Sequence, residues 1–441
     1  MNIVLLSGGS GRRLWPLSNE VRSKQFIRLF RSPDGEAESM VQRVYRQITS
    51  QAPDADVTIA ASKQQLSSIR NQLGDSVSIS PEPCRRDTFP AIVLSVSYLV
   101  DKKGISPDDP VIICPVDPYV DDEYFRSLVR LEEMVRTGDD GICLLGTEPS
   151  FPTAKYGYII PEDKSDVSRV KRFKEKPSES EAEKLIKEGA LWNAGVFAFR
   201  AGKVLDIARN TLGYDGYDEF LDRYELLESI SFDYAVLEKE SDIRVLRFSG
   251  EWKDVGTWNT LAETMDRASF GNVIFGGDCE DTSAINDLDI PLICMGLKNV
   301  VVAAGPDGIL VSDKHQSSYI KPIVDEIAGQ IKYSEKSWGS FKVLDSSPTS
   351  LTIKVTLLPG HHMYYHSHER RDEVWTVTEG EGVAIVDGVK REISDGDIIK
   401  LPAGSRHTVY ARTRLEIIEV QNGDDISVSD KIKYEYDFDK I

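Results

Sequence analysis

Apolar runs and amphipathic stretches alternate along residues 1 to about 265. The runs that suit buried strands are Ile3–Leu6, Val57–Ala60, Val111–Pro115, Ile142–Gly146, Gly195–Phe199 and Ile243–Phe248. Helical patterns fall between them at Pro90–Asp101, Asp122–Thr137 and Glu181–Glu188. This alternation predicts an α/β domain over residues 1–268, with a mostly parallel sheet and helices on both faces. Ligands of such sheets bind at the carboxyl ends of the strands.

The pattern changes near residue 270. Short β-rich runs separated by Gly, Asp and Asn predict a small β-connector over residues 269–332, which ends with a helical pattern at Lys321–Gln330. Over residues 333–441, alternating apolar positions and turns such as Pro359-Gly360 and Asp387-Gly388 predict an all-β barrel or jelly roll. A chain of 441 residues is too long for one core, which agrees with several domains.

Composition narrows the choice of partners. The formal net charge of −19 argues against nucleic acid and against an anionic membrane, so an anionic ligand would need a locally basic site. The 5 cysteines are scattered without a Cys-x-x-Cys pair, which favours free thiols in a reducing compartment. No apolar stretch reaches the length of a membrane span, and the first residues look like a strand rather than a leader. We therefore expect a cytoplasmic protein.

A glycine-rich loop directly follows the first apolar run. The loop and the cations after it comprise Gly8, Gly9, Ser10, Gly11, Arg12, Arg13 and Lys24. Glycine lets an anion approach the main chain, and backbone N–H groups beside cations bind phosphate. The spacing fits neither the P-loop nor the dinucleotide fingerprint. A nucleotide phosphate site is one interpretation, and an ordinary glycine-rich turn is the alternative.

A histidine cluster lies in the last domain. His366-x-His368-x₄-Glu373 precedes an apolar run, and His407 follows Pro402-Ala403-Gly404. Side chains alternate along a strand, so His366 and His368 would share one face. The pattern resembles the metal site of cupins, in which Glu373 and His407 would complete the ligand set. Three imidazoles and one carboxylate suit Zn²⁺, Mn²⁺, Fe²⁺ or Ni²⁺, and ligand type alone does not choose among them. A surface histidine cluster is the alternative.

Several segments together resemble one family. They are Arg13-Leu14-Trp15-Pro16-Leu17, Lys24-Gln25-Phe26, Glu82-Pro83, Phe173-Lys174-Glu175-Lys176-Pro177, Trp192-Asn193-Ala194-Gly195, Lys336-Ser337-Trp338-Gly339 and Glu419-Val420-Gln421. Their order is similar to that of the sugar-nucleotide pyrophosphorylases, and within them to type II mannose-1-phosphate guanylyltransferases with a fused cupin isomerase. The resemblance implies a Rossmann-like nucleotidyltransferase domain, a left-handed β-helix-like connector and a C-terminal cupin.

The resemblance also implies roles for individual residues. Arg13, Lys24, Asp117 and Asp254 would be catalytic, with Mg²⁺ held by the two aspartates, whose hard oxygens suit that ion. The nucleotide would contact Gly8, Gly9, Ser10, Gly11, Arg12, Glu82, Arg86 and Asp87. The sugar phosphate would contact Tyr156, Gly157, Glu175, Lys176 and Asn193. For Asp117 or Asp254 taken alone, a surface aspartate that caps a helix is the alternative.

The implied reaction converts GTP and mannose 1-phosphate into GDP-mannose and pyrophosphate. The implied cupin reaction interconverts mannose 6-phosphate and fructose 6-phosphate, and the enzyme is expected to be a homodimer. Asp87 stands where the family usually has Asn, and an ionised carboxylate cannot donate a hydrogen bond. Three alternatives stay open. They are transfer to another base or sugar phosphate, a purely structural cupin, and a non-catalytic sugar-nucleotide-binding protein.

Overall fold

The computed structural model describes residues 1–9, 12–19, 22–138, 141–265, 267–327 and 331–438. The chain divides into two units by its contacts. The first unit comprises Met1–Leu14 and Ser23–Ala268, and the second comprises Trp15–Arg22 and Ser269–Ile441. The three domain bounds expected from the sequence stay a prediction. No helix within the described residues is both long enough and apolar enough to cross a membrane.

The first unit alternates strands and helices. Its strands are β1 (Asn2–Leu6), β2 (Phe30–Arg31), β3 (Ala37–Glu38), β4 (Asp56–Ser62), β5 (Ser78–Glu82), β6 (Pro110–Pro115), β7 (Pro118–Val120), β8 (Ile142–Thr147), β9 (Tyr158–Pro161), β10 (Val167–Lys174), β11 (Leu191–Arg200), β12 (Ile243–Phe248) and β13 (Trp252–Asp254). Its helices are α1 (Met40–Gln51), α2 (Leu66–Leu73), α3 (Thr88–Asp101), α4 (Asp122–Thr137), α5 (Glu179–Lys187), α6 (Ala201–Leu212), α7 (Tyr217–Asp222) and α8 (Trp258–Thr264).

The central sheet has the order β5-β4-β1-β6-β11-β8-β12-β10-β9. Parallel pairing joins β5, β4, β1 and β6, and also β8 with β12. Strand β11 is antiparallel to both of its main neighbours, β6 and β8, and β10 is antiparallel to β12 and β9. All strands of this sheet except β10 and β11 point in the same direction, so the expected mostly parallel sheet is confirmed, with β11 entering its middle in the opposite direction. The α/β class and its Rossmann-like arrangement are confirmed.

Helices α3 and α4 show how burial follows composition. Helix α3 is apolar around most of its circumference and packs into the main core, where Ile92, Val93 and Val96 are fully buried. Helix α4 is amphipathic, and the Asp121 side chain caps it by accepting from the Tyr124 N–H. Helices α3 and α4 both pack against the central sheet. The loops at the carboxyl ends of its strands form the candidate site.

The second unit consists mainly of strands. They are β14 (Ser269–Phe270), β15 (Val273–Gly276), β16 (Ser283–Asn286), β17 (Leu292–Met295), β18 (Val300–Gly305), β19 (Gly308–Asp313), β20 (Tyr333–Lys336), β21 (Gly339–Ser346), β22 (Ser350–Leu357), β23 (His366–His368), β24 (Arg371–Glu379), β25 (Gly382–Val386), β26 (Val389–Ile393), β27 (Ile398–Leu401), β28 (His407–Ala411), β29 (Leu415–Gly423) and β30 (Lys431–Lys433). One helix among the described residues of this unit is α9 (Lys321–Glu326), shorter than the expected Lys321–Gln330, whose last three residues lie outside the description.

Two architectures follow one another in this unit. In the connector, β14, β16 and β18 stack in parallel, as do β15 and β17, in the manner of successive coils of a β-helix. The C-terminal part then forms two antiparallel sheets, β20-β21-β22-β29-β24-β27 and β26-β25-β28-β23-β30. Apolar residues such as Trp375 and Ile417 fill the space between these sheets. This is the jelly roll expected from the alternating pattern.

An eight-residue segment of the N-terminal region, Trp15–Arg22, belongs to the second unit. The Arg22 guanidinium lies 2.6 Å from the Asp287 carboxylate and also stacks over the ring of Tyr333. The Asn19 amide donates to Asp307 at 2.8 Å. A side chain at Gly308 would collide with the indole of Trp15, so glycine permits the close approach there.

The first cap of the chain provides a stability test. The buried Ser39 hydroxyl accepts from the Gln42 N–H, and the Gln42 side chain accepts from the Ser39 N–H, so two donors at the start of α1 are satisfied. We expect Ser39→Ala to lower the stability of the first unit by about 1 kcal/mol, measured by denaturant unfolding. The control Ser76→Ala removes an exposed serine. Equal effects of the two changes would contradict the capping assignment.

Candidate functional site

A cavity of about 390 Å³ opens in the first unit. Its position follows from the topology, because β1, β4, β5 and β6 run parallel and the loops after them meet at one edge of the sheet. The residues that line it include Gly8, Gly9, Ser62, Gln65, Glu82, Arg85, Asp87, Asp117, Lys155, Tyr156, Gly157, Glu175, Asn193 and Asp233. The structure therefore brings most of the expected nucleotide and sugar residues to one place.

The glycine loop presents bare main chain to this cavity. Gly9 has a φ of 98°, and within the described residues, chain neighbours aside, no atom lies within 4 Å of the position that a Cβ would take at Gly8 or Gly9. A phosphate can thus approach the backbone closely. Ser10 and Gly11, and the side chain of Arg12, lie outside the described residues. Arg13 is exposed, and its charge acts on both Lys24 and Asp254.

Lys24 joins the two aspartates expected to be catalytic. Its Nζ lies 2.7 Å from Asp117 Oδ2 and 3.8 Å from Asp254 Oδ1, and it also donates to the Val255 carbonyl at 3.2 Å. Strands β7 and β13 explain the meeting of the aspartates, because Asp254 pairs with Pro118, the residue after Asp117.

Electrostatics agree with this geometry. Burial alone would lower the pKa of Lys24, but Asp117 and Asp254 raise it above its usual value, so the ammonium stays charged. Burial and the neighbouring Asp117 raise the pKa of Asp254, although Lys24 opposes part of this rise. The two aspartate side chains are 35% and 37% exposed, which leaves their oxygens accessible to a cation. Two accessible carboxylates that share one ammonium fit the hard oxygen ligands that Mg²⁺ requires.

A second group of polar residues lines the same cavity. The Asn193 amide donates to Asp233 at 2.8 Å, and its oxygen accepts from the Gly195 N–H at 3.1 Å. The buried Glu175 pairs with the Lys176 ammonium at 2.8 Å, although Lys176 itself is not among the lining residues. A side chain at Gly157 would overlap the Glu175 carboxylate, which explains the glycine.

The segment after β5 differs in detail from the expectation. The Glu82 carboxylate accepts from the Tyr224 hydroxyl at 3.2 Å, and burial raises the pKa of Glu82 to about 7. Asp87 has a positive φ of 65° and its side chain accepts from the Thr88 N–H at 2.7 Å, so it caps α3. The Arg86 guanidinium donates to the Glu225 carbonyl instead of lining the cavity, where Arg85 lies in its place.

Asp233 is a site residue that sequence reasoning missed. It lies in a short helical turn, lines the cavity and accepts from Asn193. Burial and the charge of Glu175 raise the pKa of Asp233 to about 7. No motif marks it, because its role depends on a turn 40 residues from Asn193 in the chain. Lys155 and Gln65 also line the cavity, and no sequence motif marks them either.

The second candidate site lies inside the jelly roll. Ring nitrogens of His366, His368 and His407 all lie within 4.8 Å of one another, and the three residues are buried. Glu373 completes the set, with its carboxylate oxygens 3.1 Å from His368 Nε2 and 3.3 Å from His407 Nε2. The cross-strand pairing of His366 with His407 brings β23 and β28 together at this point.

Backbone carbonyls orient all three imidazoles. Nδ1 of His366, His368 and His407 lies 2.6, 3.1 and 3.0 Å from the carbonyls of Tyr364, Asp430 and Ser405. A carbonyl only accepts, so each Nδ1 carries a proton and each Nε2 is directed towards the shared site. Burial, assisted by Lys431, lowers the pKa of His366 to about 2, which keeps that ring neutral. A neutral imidazole with this second bond is the usual form of a histidine ligand.

The donor set therefore fits a divalent transition metal. Among the described residues, His407 Nε2 is buried without a hydrogen-bond partner, and the atom facing it is a carboxylate oxygen of Glu373. A metal cation between these two atoms would satisfy both of them. Nitrogen and carboxylate ligands suit Zn²⁺, Mn²⁺, Fe²⁺ or Ni²⁺.

Arg371 was not among the expected residues of this site. Its guanidinium is buried and donates to His368 Nε2 at 3.2 Å and to the Ser427 carbonyl at 2.9 Å. The Asp430 carboxylate accepts from the Glu369 and Arg370 N–H groups at 3.1 and 3.2 Å and so fixes the turn after His368. The position of Arg371 two residues before Glu373 on one strand could have revealed it, because such residues share a face.

Residues 2–269 match the nucleotidyl transferase family, and residues 353–421 match the cupin domain. The first match covers more than half of the chain, and the protein belongs to the nucleotidyl transferase family. It is an enzyme that carries a C-terminal cupin domain behind its nucleotidyltransferase domain.

Curated relatives share both parts. The xanthan biosynthesis protein XanB of Xanthomonas campestris pv. campestris (strain B100) is 29% identical, and the match covers 98% of this chain and 97% of that protein. A mannose-1-phosphate guanylyltransferase of Klebsiella pneumoniae is 28% identical, with 98% of each chain covered. A solved structure named mannose-1-phosphate geranyltransferase, from Thermus thermophilus, has a TM-score of 0.62 and 28% identity, and covers 74% of this chain and 99% of its own.

Asp233 provides a pH test of the cavity. Its pKa of about 7 lies above that of an unfolded aspartate, near 3.9, so its favourable contribution is complete below about pH 4 and is lost as the pH rises to about 7. Asp233→Asn keeps an oxygen that accepts from Asn193 but removes the charge. We expect a Tm above that of the wild type at pH 8, and a difference that shrinks towards pH 5, measured by calorimetry.

The control Asp222→Asn changes an exposed aspartate of the same unit. We expect its Tm to follow that of the wild type at every pH. A pH-independent difference for Asp233→Asn would show that the carboxyl does not titrate in this range.

Proposed function

We propose that the first unit transfers a guanylyl group from GTP to mannose 1-phosphate, which yields GDP-mannose and pyrophosphate. The observation that carries the proposal is the Lys24 ammonium bound to both Asp117 and Asp254 beside the glycine loop. The names of the relatives that match nearly the whole chain support the choice of substrates.

The reaction requires two anions to meet. An oxygen of the sugar phosphate attacks the α-phosphorus of GTP in line, and the bond from that phosphorus to the pyrophosphate oxygen breaks. The nucleophile is already anionic, so the site has no proton to remove and acts by positioning and by neutralising charge. Lys24 and Arg13 supply the positive charge. Mg²⁺ held by Asp117 and Asp254 would add Lewis-acid polarisation of the phosphates.

The cavity residues would divide the substrates between them. Gly8 and Gly9 would offer their backbone to the triphosphate, and the resemblance assigns Ser10, Gly11 and Arg12 to the same role. Glu82 and Asp87, which line the cavity, would contact the base, and Arg85, which also lines it, would act there in place of Arg86. Tyr156, Gly157, Glu175 and Asn193 would hold the sugar, with Lys176 close to its phosphate. The carboxylate at Asp87 already caps α3, so its replacement of Asn leaves guanine recognition to other groups.

A second activity is supported by the buried metal-ligand set. We infer that the cupin interconverts mannose 6-phosphate and fructose 6-phosphate, with a transition metal held by His366, His368, Glu373 and His407. The bound metal would polarise the carbonyl and hydroxyl oxygens of the sugar. The Nδ1 bonds fix the three imidazoles with Nε2 towards the metal position, and burial keeps His366 neutral, so that ring would bind the metal without a proton to lose. A cytoplasmic location and a homodimer stay predictions.

The transferase proposal is tested by pyrophosphate release with mannose 1-phosphate and each nucleoside triphosphate. We expect GTP to give the highest kcat/KM, and Lys24→Met to lower kcat by a factor of about 100 or more, since a preorganised charge at the phosphates is lost. The control Lys171→Met removes an exposed lysine of the same unit and should leave kcat unchanged.

A preference for another triphosphate would favour transfer of a different base. Binding of GDP-mannose without turnover of any triphosphate would favour the non-catalytic alternative.

The cupin proposal is tested by metal analysis and by isomerase activity. We expect about one equivalent of transition metal per chain, and expect His368→Ala to lose both that metal and the isomerisation of mannose 6-phosphate, because the ligand set falls from four groups to three. The control His315→Ala removes an exposed histidine of the same unit. Bound metal without isomerisation would favour a structural cupin, and isomerisation that survives chelation would exclude the metal mechanism.

A further inference from the structure

The last strand of the chain lies beside the metal-binding strand. Strand β30 pairs antiparallel with β23, with Lys433 opposite His366 and Lys431 opposite His368. Residues directly opposite in an antiparallel pair project from the same face of the sheet. The two histidines face the metal site, so the two lysines extend from that same face.

Neither lysine forms a direct ion pair within the described part of the chain, although the charges of Glu419 and Glu373 act on Lys431 from a longer distance. The Lys433 ammonium lies 4.1 Å from the centre of the Tyr364 ring. Lys433 is exposed and Lys431 is half-buried, which places the pair at the edge of the site.

The side chains of Lys336 and Arg371 are two further cations near this lysine pair. Burial and the charge of Lys433 lower the pKa of Lys336, and burial lowers the pKa of Lys431, with Arg371 and Lys433 adding to that effect. Arg371 also contacts the site directly, through His368 Nε2 at 3.2 Å. These cations thus lie along one wall of the metal site, where Glu373, Glu419 and Asp430 offset part of the charge of Arg371 and Lys431 and leave Lys433 as the cation at the exposed edge. Like charges held together in this way favour an anionic ligand.

We propose that Lys431 and Lys433, with Arg371 beside them, form a subsite for the phosphate group of a sugar phosphate whose sugar end reaches the metal-binding histidines. The proposal rests on the proposed isomerase function and names the residues that select a phosphorylated substrate there. Charge-assisted bonds from lysine and arginine are the usual way to bind a phosphate dianion.

A structural role is the competing interpretation, and it applies to one lysine only. The carboxylates Glu419 and Glu373 act on Lys431, so this lysine can also offset buried negative charge. Lys433 contacts an aromatic ring and extends to the exposed edge. Lys433 is therefore the better residue for a test, because its loss leaves those carboxylates balanced.

The test uses the full chain and calorimetric titration with inorganic phosphate and with mannose 6-phosphate. Lys433→Met should weaken the mannose 6-phosphate and phosphate binding of the cupin by about 10-fold, since one charge-assisted contact is lost. Lys431→Met should weaken it at least as much, and Lys433→Arg should retain it. The control Lys400→Met removes an exposed lysine on β27 of the same jelly roll. Phosphate bound equally by every variant belongs to another site.

Metal content and transferase activity are measured on the same samples. Both should equal those of the wild type in Lys433→Met, which shows that the ligand set and the first unit are intact. Unchanged binding of mannose 6-phosphate in both lysine variants would overturn the subsite. Weakened phosphate binding in a protein that shows no isomerisation would retain the subsite and refute the isomerase function. If the lysine variants lost binding of unphosphorylated mannose to the same extent as binding of mannose 6-phosphate, the phosphate subsite would also be overturned.

Discussion

The Lys24 ammonium is the contact on which the first site depends. It binds Asp117 and Asp254, which lie 93 and 230 residues later in the chain, so one cation connects the segment after the glycine loop with two distant strands. Two carboxylates at this distance repel each other unless a positive charge lies between them. The paired strands β7 and β13 fix the aspartates, and the lysine makes their approach favourable. Loop, aspartates and cavity thus form one electrostatic assembly.

The candidate metal site of the cupin also brings together polar groups that are distant in the chain. There three imidazoles and the carboxylate of Glu373 converge, and among the described residues Arg371 approaches His368 from one side. Each Nδ1 donates to a main-chain carbonyl, and this bond fixes the orientation of the ring. The backbone holds these groups close together, because β23 pairs with β28 and with β30.

The sequence predicted the elements better than their arrangement. Strands such as Ile243–Phe248 and helices such as Asp122–Thr137 appear in the structure with the same bounds, because periodicity of apolar positions is a local property. The direction of β11 depends on distant partners and was missed. At the sites, residues within recognisable motifs lie together, whereas Asp233, Arg371 and the exchange of Arg86 for Arg85 depend on a turn or on register that no single segment contains.

The segment Trp15–Arg22 belongs to the second unit, which limits how this chain can be divided into fragments. The backbone leaves the nucleotidyltransferase fold after Leu14 and returns at Ser23, directly between the glycine loop and Lys24. A fragment that ends at Ala268 would keep every proposed transferase residue but would leave Trp15, Leu17 and Arg22 without the partners around which they pack. The boundary between the units is therefore not a point along the chain, and simple end-to-end fusion of two independent modules does not describe this protein.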